Sequence, residues 1–193
     1  QQRTQALAER LHRLSREDSL TGLANRRYFD EALDREWRRC QRDEQPLTIM
    51  LVDVDCFKAY NDHYGHLQGD KCLQQLSDEL RRFGRRGGDL VARFGGEEFV
   101  MLYPGTGEGD ALQLASRLCR SIRALALPHV GNPGPGEVTV SVGVAVFTPG
   151  PNRTARALLD AADRALYQAK QSGRDTWRLY EPPPKVRLVK DDR

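Results

Sequence analysis

The stretch "LTIMLVDV", Leu47–Val54, is apolar at nearly every position. A strand with one wet face alternates apolar and polar residues, so an uninterrupted run predicts a strand that is central in a sheet. It runs into "DVDCFK", which puts Asp53 and Asp55 where a buried strand meets solvent. The C-terminal end of such a strand is where open α/β sheets place ligands.

The flanking segments supply the rest of the domain. "DSLTGLANRRYFDEAL" reads as a turn and a helix capped by Asn25 and running to about Cys40. "CFKAYNDHYG" and "QGDKCLQQLSDELRRF" predict a short and a longer helix, with Gly65–Gly69 as the break. Two strands follow around "RFGGEEF", then a helix over about Asp110–Leu125 and a loop, "PHVGNPGPGE", kept irregular by proline and glycine. A strand over Val138–Phe147, a helix from Thr154 through Lys170 and a last strand in "DTWRLY" complete the order. The pattern predicts an α+β domain with a mixed central β-sheet flanked by helices.

The 193 residues suffice for one domain with a core plus appendages. A formal charge of +3 is too slight to announce nucleic acid and suits an anionic small molecule equally well. No apolar run approaches the ~20 residues of a membrane span. The start, "QQRTQALAER", carries neither an initiator Met nor a signal peptide and reads as part of a longer protein. Leu7, Leu11 and Leu14 are spaced as a short coiled-coil seam, and equally as one side of a capping helix. Cys40, Cys56, Cys72 and Cys119 show neither CxxC nor zinc spacing, which points to reduced thiols in a cytosolic domain.

Glu97 and Glu98 sit in a Gly-rich turn between apolar runs. The plainer alternative is a hairpin tip facing water. If the hairpin lies beside Leu47–Val54, however, up to four carboxylates (Asp53, Asp55, Glu97, Glu98) meet in one region. Crowded like charges raise one another's pKa and oppose folding. A divalent cation removes the conflict, and hard oxygen donors favour Mg²⁺, whose shell is completed by water and substrate phosphates. Metal plus nucleotide is the economical reading.

"DSLTGLANRR", "DVDCFKAYNDHYGHLQGD", "RFGGEEF" and "ADRALYQAKQSGRD", in that order from about Asp18 to Tyr180, resemble the catalytic domain of diguanylate cyclases, the GGDEF family, here as GGEEF. The resemblance implies a palm-like nucleotidyl-cyclase fold and the conversion of two GTP into cyclic di-GMP and two pyrophosphates. It implies two Mg²⁺ per active site, with Mn²⁺ as an alternative, held by Asp53, Glu97 and the Val54 carbonyl. Glu97, with Glu98 beside it, matches the position of the general base. Asn61 and Asp70 match the pair that reads guanine; helix capping is the alternative for both. Phe57 and Lys58 match the phosphate-binding helix start, Gly95 and Gly96 the close backbone approach to nucleotide, and Lys170 and Arg174 the phosphate-gripping basic pair. Cys56 departs from the bulkier residue expected there. His66 receives no chemical role, and His12, His63 and His129 show no metal spacing.

Arg86 and Asp89 form an RxxD pattern, with Asp89 six positions before Gly95. In the family this is an inhibitory site for cyclic di-GMP, with Arg117 matching a second arginine; a surface salt bridge is the alternative. One domain holds one GTP, so the resemblance also implies a homodimer, and it raises the weight of the coiled-coil reading. The chain therefore divides into a stalk helix over 1–17, the cyclase domain over 18–180 and a disordered tail over 181–193. Rival readings are a nucleotide receptor without catalysis, a cyclase with another product, and a nucleic-acid binder using "RRFGRRGG". The expected location is cytoplasmic, without membrane contact by this segment.

Overall fold

The computed structural model describes residues 16–183. The Leu7–Leu11–Leu14 seam and nearly all of the expected tail lie outside the described residues.

The chain forms α1 (Arg26–Arg42), β1 (Leu47–Val54), α2 (Phe57–Tyr64), α3 (His66–Arg81), β2 (Leu90–Gly95), β3 (Glu98–Pro104), α4 (Glu108–Ala124), β4 (Val140–Phe147), α5 (Ala155–Gln171) and β5 (Trp177–Leu179). The sheet order is β2-β3-β1-β4-β5, antiparallel except for the parallel β4–β5 pair. The sheet is therefore mixed and the class α+β, as expected.

Every residue of β1 is buried, because helices cover both faces of the sheet. Met50, Val52 and Val54 join a core with Phe57, Tyr60, Leu73, Leu76, Leu118 and Ile122 of α2, α3 and α4. Leu47, Ile49 and Leu51 join a second core with Phe29, Leu33, Trp37, Leu158 and Leu166 of α1 and α5. Alternation along one strand thus feeds two helix layers, which is why no polar face shows in its sequence.

Caps fix two helix starts. Asn25 accepts from the Tyr28 N–H and Thr154 from the Ala157 N–H. The expected Gly65–Gly69 break contracts to Gly65 alone, whose φ of 86° lets α2 end and α3 begin at one residue. Gly69 lies inside α3. No helix among the described residues is long and apolar enough to cross a membrane.

Gly143 on β4 sets the depth of α5. A Cβ there would lie 2.2 Å from the Ala162 carbonyl oxygen and 2.3 Å from the Leu166 nitrogen, both backbone atoms that cannot rotate away. Gly143→Ala is expected to cost about 3 kcal/mol or more, lowering the thermal midpoint by roughly 10 °C in a calorimetric scan. A midpoint within 2 °C of the parent, on the order of experimental scatter against that shift, would show that α5 can lift without cost.

Candidate active site

The two acidic segments meet. β1 and β3 pair so that Asp53 stands opposite Glu98, and the Val54 N–H donates to the Glu97 carbonyl at 3.2 Å. Gly96 and Glu97 form the turn between β2 and β3, after a register shift between Arg93 and Gly95. Arg93 pins this hairpin: Nη2 donates to the Gly96 carbonyl at 2.8 Å and Nη1 to Asp18 at 3.2 Å. Asp18 also accepts from the N–H and hydroxyl of Thr21, which explains the polar half of "DSLTG". Burial works to raise the Asp18 pKa, but the Thr21 and Arg93 hydrogen bonds outweigh it and hold the carboxyl below its usual range.

Asp53 is buried, on the strand face covered by α5. Lys170 of α5 donates to its Oδ2 at 2.9 Å. Burial pushes the Asp53 pKa up to about 6; the Lys170 bond and charge pull it down, and Glu97 and Glu98 push it up again. Among the described residues no three His, Cys, Asp or Glu side chains converge as a preformed metal cage. The carboxylates of Asp53 and Glu97 and the Val54 carbonyl are nevertheless all hard oxygen donors in a negative local field, a donor set that suits a divalent cation such as Mg²⁺.

Asp55 does not join this group, contrary to expectation. The strand ends at Val54, and Cys56 turns the chain at φ 53°. The Asp55 side chain is almost wholly buried and accepts from Thr139 Oγ1 (2.7 Å), Ser141 Oγ (2.6 Å) and the Asp175 N–H (2.9 Å). The acidic neighbours of Asp53 at this strand end are therefore Glu97 and Glu98.

Phe57 opens α2 directly after this turn, with Lys58 exposed beside it. His129, which sequence reasoning passed over, is fully buried beneath the same turn. Its Nε2 lies 3.2 Å from the Asp55 carbonyl and 3.1 Å from that of Cys56, so this nitrogen carries the proton and donates to both. Its partners are backbone carbonyls more than seventy residues away, a relation with no sequence signal.

Asn61 of α2 faces α3 over Gly69. A Cβ at Gly69 would sit 1.9 Å from Asn61 Oδ1 and 3.3 Å from Phe57 Cζ. Asn61 Oδ1 is buried without a hydrogen-bond partner, so the side chain is not a helix cap here. Asp70 follows on the exposed surface of α3. Gly95 and Gly96 are exposed in the hairpin. Arg174 is exposed at φ 64° in the turn after α5, between Gly173 (φ 104°) and Asp175 (φ 46°).

Arg86, Asp89 and Arg117 line one cavity of about 700 Å³, together with Arg82, Arg85 and Arg120. The Arg86 N–H, not its guanidinium, donates to Asp89 Oδ2 at 2.9 Å, and Asp89 Oδ1 is buried without a partner. The Arg117 guanidinium lies over the Phe83 ring, 5.9 Å from its centroid.

The raised Asp53 pKa has a consequence for stability. The unfolded carboxyl titrates near 3.8 and the folded one near 6, so between those values the folded chain holds the extra proton and loses stability as pH rises. Asp53→Asn removes this opposition. In the presence of chelator it is expected to stabilise the fold at pH 7.5 by about 3 kcal/mol, a rise of roughly 6–12 °C in thermal midpoint, with the difference vanishing at pH 4. A lower midpoint at pH 7.5 would mean that the Lys170 attraction outweighs burial.

Residues 15–176 match the family model described as "Diguanylate cyclase, GGDEF domain". The chain is 43% identical over 158 residues to the diguanylate cyclase DgcP of Pseudomonas aeruginosa, covering 82% of this chain and 23% of that protein. It is 40% identical over 158 residues to the response regulator PleD of Caulobacter vibrioides, covering 82% of this chain and 34% of that protein. The chain thus spans well under half the length of these curated relatives. Among solved structures, the coiled coil and GGDEF domain of DgcB from Caulobacter crescentus, in complex with c-di-GMP, superposes with a TM-score of 0.83 at 27% identity, covering 92% of each chain. A match over most of the chain, spanning the strand end where Asp53 and Glu97 come together, makes this chain a member of the GGDEF domain family of diguanylate cyclases.

Proposed function

We propose that the chain condenses two GTP into cyclic di-GMP and two pyrophosphates. The observation that carries this reading is the β1–β3 pairing, which sets Asp53 against Glu98 and Val54 against Glu97 at one strand end. The names of its relatives, diguanylate cyclases among them, support it.

Asp53, Glu97 and the Val54 carbonyl would hold Mg²⁺, two ions per site, or Mn²⁺ in their place. Bound there, the metal supplies Lewis-acid charge that acidifies the attacking 3′-hydroxyl and offsets charge developing at phosphorus. Glu97 or Glu98 accepts the hydroxyl proton. Asn61, with its unpartnered Oδ1, and Asp70 read guanine, whose N1–H and N2–H₂ donors adenine lacks. The backbone N–H groups at Phe57 and Lys58 cradle phosphates, the turn beneath them held by the His129 ring. Gly95 and Gly96 leave room for the nucleotide to approach the backbone. Lys170 and Arg174 bind phosphate charge; Lys170, already against Asp53, stands within reach of both.

One domain offers one such site, so reaction needs two copies facing each other, with 18–180 as the catalytic domain. The cavity lined by Arg86, Asp89 and Arg117 takes the dianionic product and inhibits, the arginines meeting its phosphates. The structure of DgcB with c-di-GMP is consistent with product binding. We place the domain in the cytoplasm, where GTP is available.

Mass-resolved product analysis with GTP and Mg²⁺ is expected to show cyclic di-GMP whose yield per protein rises with protein concentration. A yield independent of concentration would contradict the facing pair, and no product even after fusion of a dimerising zipper at Gln1 would overturn the cyclase reading. Glu97→Ala is expected to lower turnover by more than about 100-fold with an unchanged circular dichroism spectrum. Arg86→Ala should let progress curves run on past the product level at which the parent slows; identical slowing in both would remove the arginine cavity from regulation.

A further inference from the structure

Asp55 is buried apart from Asp53, Glu97 and Glu98, yet its carboxylate joins three segments that converge on it. Ser141 Oγ donates to Oδ1, and Thr139 Oγ1 and the Asp175 N–H both donate to Oδ2. Thr139 Oγ1 in turn receives Asn132 Nδ2 at 3.0 Å, so its own proton is committed to Asp55. The Asp55 N–H donates to the Thr139 carbonyl at 2.9 Å. The end of β1, the entry to β4 and the turn after α5 are thereby tied at one side chain.

The end of α5 holds the first part of that turn, the Gly173 N–H donating to the Lys170 carbonyl at 3.4 Å and the Arg174 N–H to the Ala169 carbonyl at 3.2 Å, but not its last residue, Asp175. Gly173, Arg174 and Asp175 all have positive φ, two of them with side chains that disfavour it. Such a run persists only where its surroundings over-determine it. The Asp55 carboxylate meets the N–H of the last of the three, and Arg123 Nη2 grips Asp175 Oδ2 at 2.6 Å from outside. Asp53 and Val54 lie immediately before Asp55, and Arg174 lies immediately before Asp175.

We propose that Asp55 is a positioning residue for nucleotide binding: by receiving the Asp175 N–H it locks the Gly173–Asp175 turn, and with it Arg174, onto the strand end that carries Asp53. This rests on the reading above that Arg174 takes phosphate charge. A buried apolar residue would have filled the space without desolvating a carboxylate, but could not have received the N–H of a strained turn.

The test is calorimetric titration of the full chain with a non-hydrolysable GTP analogue and Mg²⁺, using Asp55→Ala, Asp55→Asn, Arg174→Ala and the double variant Asp55→Ala/Arg174→Ala. Hydrogen exchange of the Asp175 amide is followed alongside. Losing a charge-assisted anchor is expected to weaken binding about tenfold in Asp55→Ala, with faster Asp175 exchange and partial recovery in Asp55→Asn, whose remaining carbonyl can still accept. The double variant should bind no more weakly than Arg174→Ala alone, because both changes remove the same contact. Unchanged affinity in Asp55→Ala with only a lower thermal midpoint would overturn the proposal, as would losses that multiply in the double variant. Arg174→Ala binding as tightly as the parent would overturn the phosphate role itself, and the proposal with it. Should Asp55→Ala not fold, Asp55→Asn carries the same comparison: a smaller loss that disappears in the Arg174→Ala background supports it, and no loss overturns it.

Discussion

The structure depends on β1 being closed on all sides. Its edges are paired with β3 and β4, and its two faces are covered by different helix layers. A strand so enclosed has no freedom to slip, because a one-residue shift would send each side chain to the wrong core. Its C-terminal end is therefore a fixed reference point. The hairpin carrying Glu97 and Glu98 is located by pairing with one edge, the Thr139–Ser141 segment by pairing with the other, and Lys170 by the packing of α5 on one face.

Much of this was legible in the sequence, and the exceptions share a cause. β1 was readable to the residue because burial on both faces leaves a continuous apolar run, and Asn25 and Thr154 announced helix starts because capping is a local hydrogen bond. Asp53 and Asp55 could not be told apart: two residues apart in a strand, they share a face on paper. What separates them is the left-handed Cys56, a conformation that glycine would advertise and cysteine hides. His129 and Asp175 were silent for a related reason, since each bond joins a side chain to a backbone group remote in sequence: the His129 ring to the Asp55 carbonyl, and the Asp55 carboxylate to the Asp175 N–H. Gly69 was misread as part of a break because a helical glycine that admits a neighbour looks like a glycine that ends a helix.

Net charge was equally uninformative about the surface that matters. A formal +3 conceals segregation: carboxylates crowd one strand end, while arginines from the segment after α3 and from α4 ring a cavity. At the strand end, burial raises the Asp53 pKa and the charges of Glu97 and Glu98 add to it. Net charge averages such local differences away.

The absent side chain at Gly69 bears on what this domain can become. Two helices touch there through an amide laid on bare backbone, so the space beside Asn61 has no spare volume in which a different residue could be tried. On the proposed reading of Asn61 and Asp70 as the base contacts, variation in base preference arises at Asp70, on the open side of α3, while position 69 stays fixed. Adaptation toward another nucleotide then runs along a narrow path, one in which the contact residue drifts only as long as its neighbour does not.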